Sequence, residues 1–215
     1  MPEKTVQKEP GKKPAPSKKP KPQQEVVVQI PLSELHPFPD HPFQVREDAS
    51  MQETAESVKE YGVLVPALAR PREDGGYELI AGHRRKHACE LAGLATMPVI
   101  VRDIDRDAAT IIMVDSNLQR ENILPSERAK AYKMKMEAIK RQGARTDLTS
   151  PKISAKFRSD DEVGQDAGVS GDTIRNYIAL TQLVPELQQM VDEKKIALSP
   201  AYQIAALTPK EQGLL

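Results

Sequence analysis

The sequence predicts an α/β domain followed by an all-helical one. Up to Arg102, short β-branched or apolar runs alternate with stretches of helical spacing, and beyond Arg102 every patterned stretch is helical. Charge is divided as well. Residues 1–24 carry seven Lys against two Glu, and residues 128–158 carry ten Lys or Arg against Glu137 and Asp147, inside a chain of net charge +0. Cations gathered into a tail and one internal stretch form either the electrostatic footprint for a polyanion or a solvated helix face. The 215 residues suffice for one or two domains. The longest apolar run, Val63 to Ala69, is far short of the roughly 18 residues a membrane span needs. No apolar segment follows the charged N-terminus as in a signal peptide, and the single Cys89 excludes an intramolecular disulfide. The expected compartment is the cytoplasm.

The elements follow in order. Residues 1–24 hold six prolines and almost nothing apolar, so they are expected to be a disordered basic tail. Val26–Ile30 reads as a strand, and the prolines at 37, 39 and 42 make the next segment an extended loop. Ser50 with Glu53 reads as a capping box, Met51, Ala55 and Val58 as one helical face, and Gly62 as the stop. Val63–Arg70 and Tyr77–Ala81 are predicted strands joined through Asp74-Gly75-Gly76. A helix is expected from about His83 to Ala92 and a strand over Met97–Arg102. Helices are then expected over 106–119 and 125–142, the last opened by Pro125 and closed by Gly143.

Three constellations carry chemistry. Ala81-Gly82-His83-Arg84-Arg85 places two guanidinium groups at a strand-to-helix turn. Cations are disfavoured at that positive helix end, so the pair either holds an anion such as phosphate or bridges to surface carboxylates. Ser116-Asn117-Leu118-Gln119-Arg120-Glu121-Asn122 is a polar cluster between two helices. It reads as a phosphate or hydrated-cation ligand set, or as an ordinary helix connector. Asp160–Leu180 matches the helix-turn-helix pattern. Gly168 takes the turn, and Val163, Ala167, Ile174 and Tyr177 pack the two helices. Gly164 sits at their closest approach, and Ser170 caps the second helix. That helix is expected to expose Gly171, Asp172, Thr173, Arg175 and Asn176, with Arg and Asn suited to base edges. Acidic residues surround it, so the phosphate contacts are assigned to the upstream cations, Lys133, Lys140 and Arg141 among them. His83 and His87 have a zinc-compatible spacing near Cys89, but the three cations between them repel a metal. Cys89 itself reads as a buried apolar residue.

In this order the motifs resemble the ParB/Noc group of chromosome and plasmid partition proteins, over about nine tenths of the chain. His41-Pro42-Phe43-Gln44-Val45-Arg46 resembles that group's first box, and Gly82-His83-Arg84-Arg85 its Gly-Glu-Arg-Arg box. Ser116-Asn117-Leu118-Gln119-Arg120 resembles its Glu-Asn-Leu-Gln-Arg box, and Leu183-Val184-Pro185-Glu186-Leu187 follows the helix-turn-helix as in the group. The resemblance implies a small mixed-sheet, sulfiredoxin-like domain over 25–122 and a helical DNA-binding domain over 123–215, with the helix-turn-helix at 160–180. It implies CTP with Mg2+ as ligand, held by Gln44, Arg46, Gly82, His83, Arg84, Arg85, Ser116, Asn117, Gln119 and Arg120, with Asn117 a candidate Mg2+ ligand. It further implies a homodimer that closes as a clamp on palindromic double-stranded DNA, a nucleoid location and a ParA-type ATPase as partner. One alternative is a transcriptional or nucleoid-occlusion-type regulator whose first domain only dimerises; another is an enzyme of the nuclease or sulfiredoxin versions of the fold. A sulfiredoxin needs a Cys between Ala81 and Arg85, where none stands, and a nuclease needs clustered carboxylates.

His83 and Ser116 stand where the family has Glu. CTP hydrolysis is therefore expected to be slow at most, and Asp115, about 100° round the helix, is a poor substitute. The chain ends soon after a fresh capping box at Thr208 and Glu211, so either a truncated chain or a member without the family's C-terminal dimer domain is expected.

Overall fold

The computed structural model describes residues 26–120, 122–147 and 159–214. The basic tail, Glu121 and the cations Lys152, Lys156 and Arg158 lie outside the described residues, as do the side chains of 144–147 and 159. The strands are β1 (Val27–Pro31), β2 (Leu35–Pro37), β3 (Ala67–Pro71), β4 (Tyr77–Ala81) and β5 (Thr96–Val101). They form one mixed sheet in the order β1-β5-β3-β4-β2. β1–β5 and β3–β4 are antiparallel, and β3–β5 and β2–β4 are parallel.

Adjacent residues of a strand face opposite ways, and β4 shows it. Leu79 packs with Met51 and Val58 of α1 (Ala49–Tyr61) and with Ala88 and Cys89 of α2 (His83–Leu91). Ile80 packs on the other face with Ala109, Met113 and Val114 of α3 (Arg106–Leu118) and with Ala131 of α4 (Pro125–Asp147). Both faces of the sheet are therefore covered, as the α/β reading requires.

Four local expectations are corrected. Asp48, not Ser50, caps α1, its Oδ1 accepting the Met51 N–H at 2.9 Å. Strand β3 begins at Ala67 rather than Val63, because Pro66 has no N–H to pair and the carbonyls of Val65 and Pro66 accept from Arg85 instead. Part of the proline loop forms β2, whose Pro37 lies on an edge strand of the sheet, where proline is tolerated. Helix α4 runs through Gly143 to Asp147; one glycine costs a helix only about 1 kcal/mol.

Helix α4 also packs against α5 (Ser159–Ala167), α6 (Gly171–Ala179) and α7 (Pro185–Asp192), which are followed by α8 (Leu198–Ile204) and α9 (Pro209–Gln212). Ala131 joins the sheet-side cluster, Tyr132 packs with Val163 and Ile174, and Ala129 with Leu180, Leu187 and Ala201. At its start, Asp192 accepts from the Ser126 backbone N–H at 2.9 Å and from its hydroxyl at 2.5 Å. One helix thus carries the core of both parts of the molecule.

Candidate nucleotide and nucleic-acid sites

Chain reversal at Gly82 builds the first site. Its φ of +113° suits glycine, and a Cβ there would lie 2.8 Å from the Ala67 side chain. The turn therefore seats the start of α2 directly against β3. No side chain caps that helix start, so its first N–H groups remain available to an anion. Two adjoining hollows open there, of about 410 Å3 and 220 Å3, sharing Phe43, Arg84 and Arg120. Gln44 and Arg46 line the larger, and Gly82, His83, Arg85, Ser116 and Asn117 the smaller.

The charges match an anion. Arg84 donates to Ser50 Oγ at 3.2 Å and lies 3.7 Å from the Asp48 carboxylate. Arg120 Nη1 donates to Asn117 Oδ1 at 3.3 Å. Burial pushes the Arg120 pKa down, and Arg84 pushes it further, with Glu127 and Asp48 only partly opposing. Guanidinium groups crowded together in this way would be relieved by a bound polyphosphate.

One of the expected ligands lies elsewhere, and two that line the smaller hollow have partners within the fold. Arg85 donates from Nη1 to the carbonyls of Val65 at 2.5 Å and Pro66 at 2.6 Å, so it ties down the segment before β3. Gln119 lines a separate hollow with Asp115, Arg128, Tyr132 and Asp166. His83 stacks on His41, with ring centroids 3.9 Å apart. Burial, then His41, Lys86 and Arg120, lower its pKa to about 3, so it is neutral at physiological pH. His41 Nδ1 donates to the Phe43 carbonyl at 2.7 Å, and burial lowers its pKa too.

A CTP triphosphate fits this cation set. For Mg2+, which prefers oxygen, the nearby side chains offer little: Asn117 Oδ1 already accepts from Arg120, and Ser116 Oγ donates to the Met113 carbonyl at 2.9 Å. Asp115 faces away, accepting from Lys135 at 2.6 Å. The ion would therefore rest mainly on phosphate oxygens and water.

Asp48 and Glu127, neither of them expected as a ligand, also line the larger hollow. Buried Glu127 accepts the Gln44 N–H at 3.0 Å and the Leu124 N–H at 3.2 Å, joining the first box to the start of α4. The clue was present: a Glu two places after Pro125 is the reach-back half of a capping box.

The second site is α5–α6. Gly168 turns with φ +68°, and a Cβ on Gly164 would meet the Val169 carbonyl at 2.6 Å, so the helix crossing needs glycine there. Ser170 caps α6 by accepting the Thr173 N–H at 3.2 Å, and Val163 and Ile174 are buried between the helices. Asp172 and Asn176 are exposed as expected. Gly171 is not: it is buried where Asp161 Oδ1 occupies the place of a Cβ. Arg175 donates to both Asp160 and Asp172. Of the upstream cations, Lys133 is partly exposed and Lys140 exposed, whereas Arg141 donates to Asp107 at 2.7 Å. Lys135 is 1% exposed, Arg128 lies over the Tyr177 ring, and the basic stretch is therefore only partly a free surface.

A family model described as the ParB N-terminal domain matches residues 16–118, and one described as the ParB HTH domain matches residues 151–214. The chain belongs to the ParB family. It is 34% identical to the chromosome-partitioning protein Spo0J of Thermus thermophilus over 86% of this chain and 62% of that one. Against the probable chromosome 1-partitioning protein ParB of Deinococcus radiodurans it is 39% identical, over 81% of this chain and 53% of the relative. The chain thus spans roughly half to three fifths of the length of these relatives. Among solved structures, it is similar to C-terminally truncated ParB from Caulobacter crescentus complexed to the centromeric parS site. That likeness has 27% identity and a TM-score of 0.54, covering 87% of this chain and 93% of that one. A pNOB8-like ParB-N domain, 18% identical with a TM-score of 0.57 over 89% of this chain and 83% of that one, shares the fold. The ParB-type mixed sheet followed by a helical HTH unit is the architecture described above.

Proposed function

We propose that this chain is a partition protein that binds a palindromic DNA site as a homodimer and is gated by CTP. The observation that carries this reading is the convergence of Arg46, Arg84 and Arg120 on the uncapped start of α2, in a chain whose α4 is shared with the helix-turn-helix. Gly82 and Asn117 complete the triphosphate side, and Gln44 lines its entrance. Arg85 acts indirectly, by holding the segment before β3. DNA is read from α6 through Asp172, Thr173, Arg175 and Asn176, with Ser170 as cap and Lys133 and Lys140 as phosphate contacts. CTP is the nucleotide implied by family membership, and the cation set fits its triphosphate. A nucleoid location and a ParA-type ATPase partner belong to the same reading. Turnover is slow, because neutral His83 and Ser116 replace the family's carboxylates and Asp115 is committed to Lys135.

Labelled CTP titrated with and without DNA fragments recovered by the protein from its own replicon tests the proposal. Binding that strengthens with the recovered DNA is the expected result. DNA binding without any nucleotide binding would instead leave the first domain as a dimerisation platform.

A further inference from the structure

The first turn of a helix, where the dipole is positive, can bind a DNA phosphate. At the start of α6 that turn is already occupied. Ser170 Oγ accepts the Thr173 N–H, and Asp161 Oδ1 sits where a Cβ of residue 171 would be. Two more carboxylates flank Arg175: Asp160 accepts from Nη1 and Asp172 from Nη2. Asp160 is 6% exposed, whereas the Arg175 side chain is 40% exposed and the Asp172 side chain 80%.

A guanidinium has five N–H donors. Two serve the aspartates, which leaves Nε–H and one N–H on each terminal nitrogen, still enough for a two-pronged contact. Two carboxylates on this cation, with Asp161 beside Gly171 at the same helix start, make the surface locally acidic, which repels phosphate. The edge of a base carries no net charge and is not repelled. Fixing the guanidinium also removes rotamer freedom that a long side chain would otherwise lose on binding.

We infer that Asp160 is a positioning residue, aided by Asp172, which aims Arg175 at a base edge and keeps it off the DNA backbone. A guanine, with O6 and N7 as adjacent acceptors, is the base whose edge this fork fits. The inference rests on α6 being the DNA-reading helix, as proposed above.

The experiment uses the whole chain and a duplex that it selects from a randomised library, with a scrambled duplex as control. Affinity for both is measured over a range of salt. In Asp160→Asn, Arg175 is released toward phosphate. Scrambled-duplex binding then strengthens several-fold, and the slope of log affinity against log salt steepens by about 0.9. Preference for the selected duplex falls roughly tenfold. Asp172→Asn, at an exposed position, shifts all three in the same direction without touching the core. If both substitutions weaken the two duplexes equally and leave the slope unchanged, the aspartates serve only the fold and the inference is overturned. Discrimination that survives both substitutions overturns it as well. A library that yields no preferred duplex overturns the DNA-reading assignment of α6 itself, and this inference with it.

Discussion

Consecutive residues on a helix point about 100° apart, and at the start of α2 that angle separates two arginines with different work. Arg84 faces the larger hollow, and Arg85 reaches back to the carbonyls of Val65 and Pro66. Arg84→Ala should abolish CTP binding with little change in melting temperature. Arg85→Ala should lower stability by roughly 1.5–3 kcal/mol, the worth of hydrogen bonds from a charged group, and weaken CTP binding only as a consequence. Paired calorimetric titrations and thermal melts separate the two. His83 gives a pH signature. Its folded pKa of about 3 lies below the ordinary 6.5, so protonation favours the unfolded chain. The stability due to its neutral form is complete above about pH 6.5 and is lost as pH falls toward 3. The loss is up to roughly 1.4 kcal/mol per pH unit. His83→Gln should flatten that part of the acid-denaturation curve, read by urea titrations between pH 4 and 7.

Packing of elements imposes its own constraints. The α5–α6 crossing is set by Gly164, whose added Cβ would meet the Val169 carbonyl at 2.6 Å, a backbone atom that cannot swing away. Gly164→Ala should therefore destabilise the molecule by about 1–3 kcal/mol and reduce DNA affinity with it, despite the gain in helix propensity. Between α3, α4 and α5, the buried Lys135 ammonium donates to Asp115 at 2.6 Å and Asp166 at 2.9 Å. Both aspartate side chains remain about half exposed, so water can solvate them if the lysine is lost. Lys135→Met, which fills the same space, should stay within about 1.5 kcal/mol of wild type. Lys135→Ala, which leaves a cavity, should cost about 2–5 kcal/mol. Urea denaturation of the two variants decides whether volume or charge matters more at this junction.

At the scale of the whole molecule, cations that are free contribute to DNA binding and those spent within the fold do not. Substituting Lys133 or Lys140 by Ala should reduce the salt slope by about 0.9 each. Arg141→Ala should leave the slope nearly unchanged, because its guanidinium is paired with Asp107 across α3 and α4. CTP turnover is the other global readout. Phosphate release with saturating DNA should be slow in wild type and rise in His83→Glu with Ser116→Glu, since a carboxylate can hold Mg2+ and orient water where imidazole and hydroxyl do not.

Much of this was legible in the linear sequence because the signals are local. Gly62, Gly82 and Gly168 all adopt positive φ, and the apolar spacing of Met51, Ala55 and Val58 put α1 on the sheet. The helix-turn-helix was equally plain, since its turn and contact positions lie within about twenty residues. What local pattern did not carry was the partner of each charged group, because charge pairing depends on residues far apart in the chain. Arg85 and Val65 are separated by 20 positions, Glu127 and Gln44 by 83, and Arg141 and Asp107 by 34. The sequence by itself therefore determined where the anion-binding and DNA-reading motifs stand. Only the tertiary structure decided which of their cations face a ligand, because the partners a guanidinium finds inside the fold fix where its remaining donors point.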